Sequence, residues 1–181
     1  KPFIFMNAAS LPRDLDTMVH EAGHAFHYML CRHDDLVWYR GAPLEFAEVA
    51  SMSMEMLSYP FLEEFYTSEE TKRAIRKHLE GIVNFLPWCA TIDAFQHWIY
   101  LNPDHTREER TAHWLELCKR FGSGVDWSGL EAEQEAEWHR QLHLFQVPFY
   151  YIEYGIAQLG ALQMWLHYCN DSEAALASYK K

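Results

Sequence analysis

Basic residues are scarce. Fifteen Lys and Arg stand against 26 Asp and Glu, a net charge of −11. A protein that grips a phosphate backbone needs a basic stripe, and none is visible, so nucleic acid is not an expected partner. A polybasic membrane anchor is missing for the same reason. Long apolar runs are missing too. The most apolar stretch, residues 81–101, is interrupted by Asn84, Pro87, Asp93, Gln96 and His97, whereas a bilayer span needs about 20 mostly apolar residues. The sequence opens at Lys1 with neither Met nor a signal-peptide pattern. Its four cysteines (Cys31, Cys89, Cys118, Cys169) are widely spaced and form no CxxC pair. That argues against a disulfide framework and a Cys-rich zinc site, and for free thiols in a reducing compartment; the expected location is the cytoplasm. Alternating strand patterns of useful length, internal repeats and low-complexity segments are also lacking.

What remains is a chain of 181 residues, 49% hydrophobic, long enough to bury a core as one domain. Its unusual features are 11 His and 15% aromatics. The pattern reads as all-α. Residues 17–31 carry an apolar stripe (Met18, Val19, Ala22, Ala25, Phe26, Met29, Leu30), with Asp14 or Asp16 as N-cap. After a loop through Gly41-Ala42-Pro43, a second helix starts at Leu44 or Glu45 and is stopped by Pro60. Residues 68–79 form a charged helix, Pro87 breaks the next segment, and residues 91–101 form another helix. Thr106-x-x-Glu109 and Ser128-x-x-Glu131 read as capping boxes, separated by a Gly122-Ser123-Gly124 loop. Val147-Pro148 leads into a last helix over 149–168.

The chemistry starts at His20-Glu21-Ala22-Gly23-His24. Two His four apart on a helix lie one above the other, so one tetrahedral zinc can accept both imidazoles. The Glu after the first His lies beside such a metal and can take a proton from an activated water. An accidental HExxH in a chain of this composition has a probability of roughly 5%, so a third ligand must decide. The metzincin continuation fails, because His27 and Leu30 stand where a Gly and a third His belong. A glutamate from the next helix is the alternative. Glu48 lies 24 positions after His24, with Phe46, Val49, Met52 and Met56 suggesting an inward face. Glu45 is a rival one turn earlier, and Glu55 suits a carboxylate that orients a ligand His.

Together, His20-Glu21-Ala22-Gly23-His24-Ala25-Phe26-His27, Phe46-Ala47-Glu48-Val49-Ala50-Ser51 and Glu55 resemble the zinc-site block of the oligoendopeptidase F and thimet oligopeptidase family. Asp14 and Thr17 match that family's lead-in. Pro148-Phe149-Tyr150-Tyr151-Ile152-Glu153-Tyr154-Gly155 resembles its Tyr-rich substrate-binding helix. The resemblance implies a helical peptidase core, part of a larger two-lobed channel fold, with one zinc per chain and short peptides as substrates. It implies His20, His24 and Glu48 as metal ligands, Glu21 as general base, and Glu55 and Asp14 as supporting residues. It implies Tyr154 and His143 as catalytic groups, and Tyr151 or Tyr150 as substrate contacts. Family members are several times longer. The expectation is therefore one catalytic-core segment, 1–181, incomplete at both ends, whose partner is the remaining lobe. Within it, zinc-binding helices span 14–60, connecting helices 68–140 and the Tyr-rich helix 143–168.

Three rival readings stand beside this. A di-iron bundle needs two ExxH pairs, and Glu21-x-x-His24 is the only one. An inactive or structural zinc-binding helical domain, acting as an interaction module, has no need of Glu21. A helical interaction domain with an accidental motif would bind no metal. The other histidines, His78 among them, read as surface or satisfied core residues.

Overall fold

A computed structural model describes residues 2–122 and 124–180. Among them there is no strand. The helices are α1 (Pro12–Cys31), α2 (Leu44–Leu57), α3 (Ser68–Leu101), α4 (Arg107–Phe121), α5 (Glu131–Ala136), α6 (His143–Gln146), α7 (Tyr151–Asn170) and α8 (Ser172–Tyr179). Short 3-10 turns occupy Val37–Arg40, Tyr59–Glu64 and Glu137–Arg140. The fold is all-α, and no described helix is long and apolar enough to cross a membrane. The four cysteines are free.

The chain divides into two compact units. One holds the residues up to Leu79 and from Ile156 onward; the other is Glu80–Gly155. The borders fall inside α3 and α7.

In the first unit α2 is gripped on several sides. Gly23 of α1 lies so close that a Cβ there would sit 2.6 Å from Ser51 Cα and 3.0 Å from Ala50 O. Gly160 of α7 leaves room for Val49, whose Cγ2 would be 2.8 Å from an added Cβ. The Tyr179 hydroxyl of α8 donates to Ala50 O at 2.7 Å. Met56, Leu57, Ala157, Ala161 and Ala175 are buried here. Close backbone approach through small residues replaces a broad apolar stripe on α1, where Met18, Phe26, Met29 and Leu30 stay largely exposed. Phe46, expected to face inward, is 63% exposed.

The second unit is built on aromatics. Ile92 and Phe95 of α3 pack with Trp114 and Leu117 of α4 and with Trp138. The Phe95 and Trp114 rings are 5.0 Å apart, edge to face. Trp114 Nε1 donates to Gln134 O at 2.8 Å, so the buried indole is satisfied.

Several elements differ from expectation. α1 begins at Pro12, with Asp14 at its third position rather than as N-cap: Asp14 Oδ2 accepts the amides of Ala9 and Leu11, both at 2.8 Å. α3 runs unbroken through Pro87. A helical proline loses one hydrogen bond and crowds the turn before it, but the helix is buried on both sides of it, at Ile82 before and at Cys89, Ile92 and Phe95 after. The Ser128 hydroxyl donates to Asp126 at 2.6 Å instead of capping a helix, and α5 starts only at Glu131. α7 begins at Tyr151, because Phe149 adopts the left-handed region at φ 60°. The Thr106–Glu109 capping box of α4 is present as expected. Ser123 of the expected glycine loop lies outside the described residues.

Candidate metal centre

α1 carries His20, Glu21 and His24; α2 carries Glu48 and Glu55. The close crossing at Gly23 brings the two helices' polar faces together. His20 Nε2 lies 3.4 Å and His24 Nε2 3.8 Å from Glu48 Oε2. One ligand atom from each of the three residues lies within 4.8 Å of the others. Donors around a tetrahedral zinc stand about 3.3 Å apart; the two imidazole nitrogens lie near that spacing from Glu48, and the donor set of two imidazoles and a carboxylate is one that zinc accepts. Glu45 is not part of this cluster.

The supporting bonds give the cluster direction. Glu55 Oε1 meets His20 Nδ1 at 2.5 Å, which leaves Nε2 turned toward Glu48. The buried Ser51 hydroxyl reaches Glu48 Oε2 at 3.1 Å and its backbone oxygen at 3.0 Å. Burial pulls the His20 imidazole down, but hydrogen bonds and charge from Glu48 and Glu55 outweigh it and raise its pKa to about 10. The His20 hydrogen bond holds Glu48 below the usual carboxylate range against burial. Burial pushes Glu55 up, yet the bonds from His20 and His78 bring it lower overall. Asp14, expected near the ligands, is engaged with the backbone ahead of α1, and those amides lower its carboxyl. Glu21 is half-buried on α1, next to His20.

The second unit assembles the late aromatic residues. The His143 ring centroid lies 5.8 Å from Tyr150, 5.0 Å from Tyr151 and 5.7 Å from Tyr154. Tyr154 in turn lies 5.3 Å from Tyr150 and 5.7 Å from Tyr151. All four are half-buried.

The whole chain, residues 1–181, matches the model of peptidase family M3. The chain belongs to that family. It is 27% identical over 184 residues to oligopeptidase PepF of Bacillus subtilis (strain 168), covering 98% of this chain and 27% of PepF. Its fold matches a solved structure of PZ peptidase A with an inhibitor at 34% identity and a TM-score of 0.87. It also matches a putative oligoendopeptidase F at 37% identity and a TM-score of 0.83. Each match covers 98% of this chain and 32% of the solved one. The chain thus spans about a third or less of the length of these relatives.

Several residues that shape this M3 segment have no signature in its sequence. Gln141 is one. Trp88 Nε1 can only donate, and it donates to Gln141 Oε1 at 3.2 Å. That fixes the amide, so Gln141 Nε2 donates to His143 Nδ1 at 2.6 Å. His143 then carries its proton on Nε2, the nitrogen left to act as a donor. Gln96 is another. Buried in α3, it accepts the Phe149 amide at 2.8 Å and pins the strained residue just before the tyrosines. Their bonds to Trp88 and to Phe149 each span 53 positions of chain, where no local pattern reaches.

Proposed function

We propose that this segment forms the zinc site of an endopeptidase that hydrolyses short oligopeptides. The observation that carries the reading is the convergence of His20, His24 and Glu48 on one point, beside a glutamate that is not needed to hold the metal. In the metal-holding state His20 Nε2, His24 Nε2 and a Glu48 oxygen are the three protein donors, a number typical of catalytic rather than closed structural sites. When bound, zinc supplies Lewis acidity, acidifying a water and polarising a peptide carbonyl.

Every other task falls to the chain. Glu21 takes the proton of the attacking water and returns it to the leaving amine. Glu55 holds the His20 ring, and Ser51 holds the Glu48 carboxylate. From the family resemblance, Tyr154 with His143 donates to the developing oxyanion, and Tyr150 and Tyr151 contact substrate.

Native mass spectrometry tests the first half of this. About one zinc per chain is expected, lost in His24→Ala. Glu21→Gln tests the second half: it should keep zinc while hydrolysis of a quenched peptide falls by roughly 10²–10⁴. A chain that takes up no zinc, or a Glu21→Gln variant with normal turnover, overturns the reading.

A further inference from the structure

Glu55 gives one oxygen to His20 and the other to His78 of α3, whose Nε2 lies 3.0 Å from Glu55 Oε2. On its far side, His78 Nδ1 lies 2.7 Å from the Tyr59 hydroxyl. We propose that His78, oriented by Tyr59, is a positioning residue for the metal centre: it clamps the second oxygen of Glu55 so that the first holds His20 with Nε2 free for a metal. This rests on the zinc reading above.

The hydrogens of the chain have one consistent arrangement. Tyr59 is buried, and burial together with the charges of Glu55 and Asp16 pushes its phenol well above the usual range, so it keeps its proton and donates. His78 Nδ1 accepts that proton. With Nδ1 accepting, His78 carries its own hydrogen on Nε2 and donates it to Glu55 Oε2. Glu55 Oε1 is left to accept Nδ1–H of His20, at 2.5 Å. In the metal-holding state, where Nε2 carries no proton, the lone pair on that nitrogen faces His24 and Glu48. Each donor has one acceptor, and no step is left to solvent.

The rings are also held mechanically. Tyr59 stands edge-on to His78 at 5.6 Å and to Trp165 of α7 at 5.8 Å. Residues from α1, α2, the 3-10 turn after α2, α3 and α7 thus converge on one ligand nitrogen. Outer partners of a ligand histidine set its tautomer and ring orientation, and losing one commonly weakens metal binding by about 10–100-fold. A carboxylate tied at both oxygens cannot turn away from His20; tied at one, it can.

The test is zinc affinity, read by competition with a chromophoric chelator, together with folding by circular dichroism. His78→Leu should bind zinc about tenfold more weakly while still folded. His78→Gln, whose amide nitrogen can take the place of Nε2, should restore most of the affinity. A merely structural histidine would lower the melting temperature without this split between Leu and Gln. Long-range ¹H–¹⁵N spectra of the zinc-loaded wild type should show His78 protonated on Nε2 and His20 on Nδ1. Should His78→Leu not fold, Tyr59→Phe carries the test: it should release the His78 tautomer and weaken zinc binding. Wild-type affinity in folded His78→Leu or Tyr59→Phe, or a His78 protonated on Nδ1, overturns the proposal alone. Absence of zinc binding by the wild type overturns the zinc reading, and this proposal with it.

Discussion

At neutral pH a proton and a metal ion compete for the same nitrogen of His20. Both ring nitrogens face carboxylates, Nδ1 toward Glu55 and Nε2 toward Glu48. Burial alone would lower the imidazole, but those two glutamates raise it to about 10. Its ordinary value is about 6.5. The sign follows from linkage. A group raised on folding stabilises the metal-free fold fully below about 6.5 and loses that contribution as pH climbs through about 10. Zinc affinity moves the opposite way, because the metal must displace the Nε2 proton. We expect about one proton released from His20 per zinc bound at pH 7, and an affinity that rises about tenfold from pH 7 to pH 8. Calorimetry in two buffers of different ionisation enthalpy counts the proton. A flat affinity profile with no proton release would mean that His20 is not charged in the metal-free chain.

At the scale of elements, the approach of α1 to α2 sets the site. Gly23 is one of the two spacer residues of the HExxH, and its place is dictated by packing rather than by chemistry. The nearest contact of an added Cβ is the Ser51 Cα, which is backbone and cannot rotate away. Gly23→Ala gains up to about 1 kcal/mol of helix propensity, but it must push α2 back, an overpacking cost of about 1–3 kcal/mol. Because Glu48 sits one turn before Ser51 on the same helix, the push also moves a ligand. We expect a lower melting temperature and weaker zinc binding together. A variant that is more stable and binds zinc as before would show that the contact has slack.

Local signals of this kind were legible in the sequence where the physics is local. The two histidines one turn apart and the Thr106–Glu109 box need only a single helix turn. The choice between Glu48 and Glu45 was not local, since it depends on where α2 crosses α1; only family resemblance favoured Glu48. Pro87 and Ser128 misled for opposite reasons. Packing around α3 outweighed a local rule at Pro87, and at Ser128 a nearer acceptor, Asp126, took the hydroxyl that a cap would have used. The left-handed Phe149 carries no residue-type signal, because its amide is held by Gln96 from another helix.

For the whole molecule, what could not be read were the long-range polar partners: His78 for Glu55 and Trp88 for Gln141. They determine tautomers rather than fold class, so the all-α reading stood without them. The division into two compact units was not read either: the charged helix expected over 68–79 ends where one unit does, but nothing marked a second border inside the helix expected over 149–168. That division bears on how zinc should stabilise the protein. A ligand that binds only the folded state adds about 2.7 kcal/mol at a free concentration 100 times its Kd, which for a chain of this size corresponds to a shift of roughly 5–10 °C. With two units a single melting point averages over transitions that need not coincide, so hydrogen exchange is the sharper measurement. Zinc should increase protection of amides in α1 and α2, which hold all three proposed ligands, and a chelator should reverse it. His24→Ala should show neither effect. Protection gained in α4 while α1 and α2 stay unchanged would place the ion elsewhere in the chain.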